Sequence, residues 1–328
     1  MATVMTVTGP VQADQLGFTL VHEHLYYGTE VGSGVDNWED AHTRAINDSE
    51  LIYESLMRYK NVGGMTVVDQ TTGGLRGRDG NVLLDQDLEP VKHSVAVRQM
   101  AERTGLNIVL GAGWYRMPFY EPYLHQIKTD ELAEELIRDI TEGLYGTDVK
   151  AGLLGEIGVE HPTWIWPVEE RMLRAVARAH KETGVTIATH AVGGPVGLKQ
   201  LEILMDEGVD PYRVIIGHVT LFPNHEYHAE IARRGGFMAF DTLKGAKWSL
   251  REQVELEHIK KVLDAGLIGH VLFSHDISGR RGHVAYGGGG FDYIPTTFLA
   301  RLREIGVSDE QFHQIMVDNP RRALCGEE

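Results

Sequence analysis

Cysteine occurs once in the 328 residues, at Cys325. A lone thiol beside the C-terminus excludes an intrachain disulfide and a cysteine-built metal cluster, and with nothing nearby to lower its pKa it reads as an inert tail residue. Basic residues are also outnumbered: 31 Lys plus Arg stand against 47 Asp plus Glu, a formal charge of -16. Such a field repels a phosphate backbone, so no nucleic-acid partner is expected. A basic, apolar leader is missing from the N-terminus, and no run reaches the ~18 uninterrupted apolar residues of a membrane span, so no membrane association and a cytoplasmic location are expected. No Pro/Ser-rich linker or low-complexity block divides the chain. One domain over 1–328 is therefore expected, a length within the range of (β/α)8 barrels.

Short apolar runs of strand length recur at 17–25, 65–71, 107–114, 151–158, 186–191, 213–219, 237–243 and 270–276. They are rich in β-branched and aliphatic residues, as strands buried on both faces require. Segments of helical periodicity lie between them, at 49–62, 89–104, 129–145, 167–183, 196–207, 224–234, 250–265 and, in two pieces, 292–318. Gly63, Gly105, Gly184, Gly208, Gly235, Gly266 and Gly306 each follow such a run, where a left-handed residue ends a helix. Pro167 with Glu169 and Glu170 marks a helix start. Strands alternating with helices predict a parallel sheet, and eight of them predict an α/β fold closed into a (β/α)8, or TIM, barrel. A short hairpin over 1–16, with turn residues Gly9 and Pro10, is expected to cover the barrel floor. Two long connections, 72–88 and 277–291, follow strand ends, where such barrels keep their active-site loops.

Metal-ligand residue types collect at those strand ends. His22 and His24, two apart on the first strand, share a face by the pleat. Glu156, His190, His218 and Asp276 end the fourth, fifth, sixth and eighth strands, at intervals of 34, 28 and 58 residues, or about one, one and two βα units. Burying four imidazoles and two carboxylates at one barrel mouth is costly unless they coordinate metal. Two divalent cations bring +4 against -3 from Glu156, Asp276 and a bridging hydroxide, a residue of +1 that polarises a substrate oxygen. Imidazole and carboxylate without thiolate suit Zn²⁺, with Mn²⁺, Co²⁺ or Fe²⁺ as alternatives and Ca²⁺ disfavoured.

The motifs VHEHL at 21–25, ATHA at 188–191, IGHV at 216–219, SHD at 274–276 and VDNPRRAL at 317–324 resemble, in order, those of the phosphotriesterase family of the amidohydrolase superfamily. The resemblance runs from TVTGPV near residue 6 to the C-terminus. It implies a binuclear metalloenzyme in which His22, His24 and Asp276 hold a buried ion, His190 and His218 an exposed one, and a carboxylate bridges them. Many members use a carboxylated lysine as the bridge. Here GEIG at 155–158 offers Glu156, while the nearest lysine, Lys150, lies at the other end of the strand. That departure resembles the branch called phosphotriesterase homology proteins and weakens an inference of triesterase activity. A homodimer acting on a small molecule is also implied.

Tyr115 matches a position where many relatives carry a tyrosine near the bridging hydroxide, and otherwise reads as a packed aromatic. Trp164 and Trp166 read equally as pocket walls or as scaffold packing. Arg280 and Arg281 read as a clamp for an anionic group or as solvated loop charges. The Gly287–Gly290 run reads as a lid hinge or a plain turn; no Gly-Lys-Ser/Thr follows, so it is no phosphate loop. His275 should point away from the centre. The expected reaction is metal-assisted hydrolysis, a bridging hydroxide attacking a lactone or carboxylic ester carbonyl while Asp276 takes the proton and passes it to the leaving group. Amides of small N-acyl compounds and phosphotriesters are the alternatives, and a non-catalytic binding protein comes last.

Overall fold

The computed structural model describes residues 2–26, 46–76, 78–84, 89–245 and 249–326. The chain opens with an antiparallel hairpin, β1 (Thr3–Thr6) and β2 (Gly9–Gln12). Its turn is Val7-Thr8, not Gly9-Pro10 as the composition suggests. Gly9 (φ 119) instead opens the second strand, and Pro10 pairs with Met5 at a position that asks little of its missing N–H.

Eight parallel strands follow: β3 (Thr19–Glu23), β4 (Thr66–Asp69), β7 (Asn107–Ala112), β8 (Leu153–Gly158), β9 (Ile187–His190), β10 (Val214–Gly217), β11 (Phe237–Phe240) and β12 (Val271–Phe273). Each pairs with its neighbours in chain order, the arrangement of a (β/α)8 barrel. Between β4 and β7, a small pair of β5 (Asn81–Val82) and β6 (Val91–Lys92) occupies part of the long connection read at 72–88, of which Gly77 and 85–88 lie outside the described residues.

The ring closes through side-chain and backbone hydrogen bonds where β12 meets β3. The His22 amide donates to Ser274 Oγ (3.0 Å), and the Asp276 amide donates to the His22 carbonyl (3.0 Å). Glu23, fully buried, accepts from Ser274 Oγ (2.8 Å) and from the amides of His275 (2.9 Å) and Ile277 (3.0 Å). Its partner His275 points away from the mouth, as the pleat requires, with Nδ1 2.8 Å from Glu23 Oε1.

Two apolar layers hold the ring. Val21, Val68, Val109, Leu153, Ile215 and Leu272 fill its interior, sealed below by Val4 of the hairpin and by Leu324. The alternating outward residues, Leu20, Val67, Ile108 and Leu154 among them, pack under the helices. A fully buried Leu, Ile or Val contributes about 1.5 to 3 kcal/mol over an exposed one, so each strand is pinned from both faces. The helices fall where periodicity places them, for example Ser49–Asn61, Pro167–Thr183 and Ser249–Asp264. Asp48 caps the first by accepting from the amides of Glu50 and Leu51, and Gly105 and Gly184 end theirs in the left-handed conformation. Two boundaries differ. The helix read from 89 begins at His93 because Val91–Lys92 pairs as strand, and the last helical stretch runs beyond 318 to Cys325. Among the described residues, no helix is long and apolar enough to cross a membrane.

The connection after β12 folds tightly on itself. A Cβ at Gly288 would lie 2.2 Å from the Gly282 carbonyl, and Gly290 (φ 74) donates its amide to that carbonyl at 2.9 Å. His283, fully buried, docks this loop on helix Ser49–Asn61 through Ser55 Oγ (2.8 Å), and Asp292 takes Arg58 Nη2 at 2.7 Å. Close packing leaves no room for a side chain at Gly288.

Candidate metal centre

The barrel brings all six predicted ligands together at the C-terminal ends of its strands. His22 lies on β3 and His24 one residue past it; Glu156 lies on β8, His190 ends β9, His218 follows β10, and Asp276 stands three residues past β12. Five of them are nearly inaccessible, and Asp276 exposes 15% of its side chain. Glu156 is at the centre. Its Oε2 is 2.7 Å from His190 Nδ1 and 3.5 Å from both His22 Nε2 and His218 Nε2, and its Oε1 is 3.5 Å from His24 Nε2. Asp276 Oδ1 is 3.2 Å from His24 Nε2. Lys150 lines a groove with Thr6–Pro10 of the hairpin, at the opposite end of the barrel.

Two ligand-type residues take left-handed backbone angles, His218 (φ 58) and Asp276 (φ 52). A non-glycine residue there costs roughly 1 to 2 kcal/mol and persists only when its surroundings fix it. Here the His218 amide donates to both carboxylate oxygens of Asp241 (3.0 Å each), and the Asp276 amide is held by the His22 carbonyl.

Asp241, one residue past β11 and fully buried, is a residue of the site that the sequence reading missed. Its Oδ2 is 2.8 Å from His22 Nδ1 and its Oδ1 3.0 Å from His218 Nδ1. Both imidazoles must therefore donate from Nδ1, which turns each Nε2 inward toward Glu156, the orientation that carboxylate–histidine–metal arrangements share, and His218 Nε2 also lies 2.7 Å from His190 Nδ1. His22 Nε2 is buried with no hydrogen-bond partner. A buried ring nitrogen without a hydrogen-bond partner is a place that a metal ion would fill. The available signal was a carboxylate in FDTL, directly after the apolar run FMAF, where the other strands place their ligand-type residues. Lys244 was missed too; its Nζ lies 3.0 Å from Asp276 Oδ2.

The electrostatics fit a cation in the same place. Burial opposes ionisation of Glu156, Asp241 and Asp276, yet the surrounding imidazoles and, for Asp276, first Lys244 hold all three carboxyls below their ordinary pKa. Burial likewise pulls His22 and His218 down, but Glu156 and Asp241 outweigh it at His22, and Asp241 does so at His218, which reaches about 9. His190, desolvated and beside His218, falls to about 4. Three buried carboxylates thus recruit protons onto imidazoles, the positive charge that divalent ions would replace. The third carboxylate, Asp241, corrects the charge count made from Glu156 and Asp276 alone.

The remaining predicted residues stand around this cluster. Tyr115 OH is 3.4 Å from His190 Nε2, with the rings edge-on at 4.8 Å. Its loop is tied down by Glu169, whose carboxylate accepts from the amides of Met117, Glu160 and Trp166. Trp164 and Trp166 are 47% and 42% exposed on the connection after β8, the first stacked on His161 and edge-on to the second, rather than buried against the cluster. Arg280 Nη2 is held by Asn47 Oδ1 at 2.7 Å, and Arg281 is exposed.

The model of the Phosphotriesterase family matches residues 2–324. The phosphotriesterase homology protein of Escherichia coli (strain K12) is 32% identical over 309 residues, covering 94% of this chain and 97% of that protein. The N-acetyltaurine hydrolase of Salmo salar is 25% identical over 360 residues, covering 98% of this chain and 97% of its own length. Among solved structures, a lactonase from Listeria monocytogenes superposes with a TM-score of 0.87 at 27% identity over 100% of both chains.

Proposed function

Because this chain belongs to the phosphotriesterase family, whose members are metal-dependent hydrolases, we propose that it hydrolyses a lactone or carboxylic ester at a centre of two divalent cations, Zn²⁺ first among them. The observation that carries this reading is the set of four imidazoles around Glu156, two of them turning Nε2 toward it because Asp241 holds their Nδ1 atoms. His22, His24 and Asp276 would hold one ion, His190 and His218 the other, and Glu156 would bridge them. Bound there, the ions would supply the acidity that makes water nucleophilic near neutral pH and the Lewis acidity that polarises a carbonyl.

The chain's own groups do the rest. Asp276 stays ionised and takes the proton of the attacking water, then delivers it to the leaving oxygen. Lys244 steadies that carboxylate from the mouth side, 3.0 Å from Oδ2. Tyr115 stands beside His190, the most accessible of the four imidazoles at 7% exposure, where its hydroxyl meets the substrate oxygen. Trp164 and Trp166 wall the approach, and Arg280 and Arg281 receive an anionic substituent. A second reading, hydrolysis of a small N-acyl amide with an anionic end, is favoured by the similarity to an N-acetyltaurine hydrolase and by the cations at the mouth.

A panel of lactones, esters and N-acyl amides, each in neutral and anionic forms, assayed with metal-loaded protein tests both readings. Turnover of the lactones or esters with the higher kcat/KM supports the first. Turnover confined to amides supports the second, and no turnover of any member would overturn both.

A further inference from the structure

A cavity of about 740 Å³ opens on the flank of the barrel, between helix Thr129–Thr141, the turn that follows it and the connection after β4. None of the six ligand-type residues lines it. Its volume is that of a small-molecule site, and its walls combine two kinds of surface. Trp114, Tyr123 and Tyr145 supply aromatic rings, and carboxylates outnumber cations by five to two, Arg138 and Lys92 being the two. One ring already draws the chain's own cations. Lys92 Nζ lies 5.8 Å from the centre of Tyr145, and buried Arg76 lies 6.0 Å from it.

Three of the carboxylates stand in a row. Glu135, Asp139 and Glu142 follow one another at helical intervals of four and three residues, so all three share a helix face and meet the same cavity. Glu135 accepts from Tyr123 Oη at 3.2 Å. The Asp139 side chain has no hydrogen bond or ion pair with a described residue, although its carbonyl accepts the Ala151 amide at 3.0 Å and fixes its backbone. Arg76, the cation behind it, donates Nη2 to the Gly111 carbonyl instead. Burial therefore pushes the Asp139 carboxyl up to about 7, and a cation arriving from the cavity would supply the missing partner.

The spacing selects the cation. Among the described residues, the groups close enough to hold one metal ion all lie at the barrel mouth, and none includes Asp139. Neighbours on a helix face are about 5 to 6 Å apart at Cβ, a span that the three- or four-carbon spacer of an alkyl diamine bridges. Aromatic faces beside such a row suit the methylenes and ammonium groups of the same chain.

We propose that this cavity binds an alkyl di- or triamine, its ammonium groups on Asp139 and its helical neighbours Glu135 and Glu142. The site is independent of the metal centre.

Isothermal titration of the full-length protein with spermidine at about pH 8, where Asp139 is ionised, tests it. Wild type should bind one equivalent with a Kd below about 1 mM. Asp139→Asn, which keeps the size and removes the charge, should weaken binding by about 10-fold or more, and Glu135→Gln should weaken it in the same direction. Glu156→Ala should bind within about twofold of wild type, and Mg²⁺ at the spermidine concentration should not displace the amine. A chain of formal charge -16 can also attract amines without a site. That would appear as several weak equivalents, equal in wild type and Asp139→Asn and displaced by Mg²⁺, and either this pattern or no binding would overturn the proposal. Should Asp139→Asn fail to fold, unchanged affinity in Glu135→Gln would overturn it.

Discussion

Lys244 Nζ lies 3.0 Å from Asp276 Oδ2, while the other oxygen of the same carboxylate lies 3.2 Å from His24 Nε2. One oxygen of Asp276 therefore faces the ligand cluster and the other an ammonium at the mouth, and its two roles can be separated. Asp276→Asn keeps the size and one ligand oxygen but removes the base. Its kcat should fall by roughly 10² to 10⁴ with most of the metal retained. Metal analysis beside steady-state kinetics checks this, and near wild-type kcat at full metal would remove Asp276 as the proton carrier.

Glu156 is within 3.5 Å of all four imidazoles. Purified protein should hold about two divalent ions per chain and lose activity to a chelator. Glu156→Ala should lose most of both ions and the activity, and added bicarbonate should not restore them, because Lys150 lies at the far end of the barrel. Elemental analysis gives the answer; rescue by bicarbonate would reassign the bridge.

Arg280 and Arg281 stand four and five residues past Asp276 in a chain of formal charge -16. As the proposed anion clamp, the pair would reverse that field locally. A charge-assisted bond contributes about 1.5 to 3 kcal/mol, so Arg280→Ala/Arg281→Ala should raise KM for anionic substrates by ~10-fold or more and spare neutral lactones. Matched neutral and anionic substrates make the comparison, and equal losses for both would leave the pair a loop feature.

Asp139, on helix Thr129–Thr141, titrates far from the centre. Burial, only partly offset by Arg76, pushes its carboxyl up to about 7. The folded state then binds this proton more tightly than the unfolded state, so the stability it lends is complete below about pH 4 and is lost as pH rises through about 7. Asp139→Asn should remove that loss. Its unfolding free energy should exceed wild type by about 1 kcal/mol or more at pH 8 and match it near pH 4. Thermal melts at the two pH values decide, and a difference equal at both would point to a change in packing.

The eight-strand order and the six ligand-type residues were legible because both are periodic: apolar runs recur once per βα unit, and the ligands mark where those runs stop. What escaped notice shares a different property. Asp241 and Lys244 touch the ligands rather than standing among them, and their contacts cross strands that adjoin only in space. The glycine run stayed open between a hinge and a plain turn because composition does not show that Gly288 lies against the Gly282 carbonyl. In the hairpin, Gly9 and Pro10 carry the composition of a turn and occupy a strand.

The Glu23 seam has a consequence for how the protein is made. His22 and His24 lie on one side of it and Asp276 on the other, so the cluster draws on segments synthesised near the beginning and near the end of the chain. A nascent chain that stops short of β12 lacks both Asp276 and the Ser274 and His275 groups that anchor Glu23. Ions that need the complete ligand set can settle only after the ends of the polypeptide have met, which makes metal loading a late step in the protein's biogenesis and places any ion that binds as a clasp across the join.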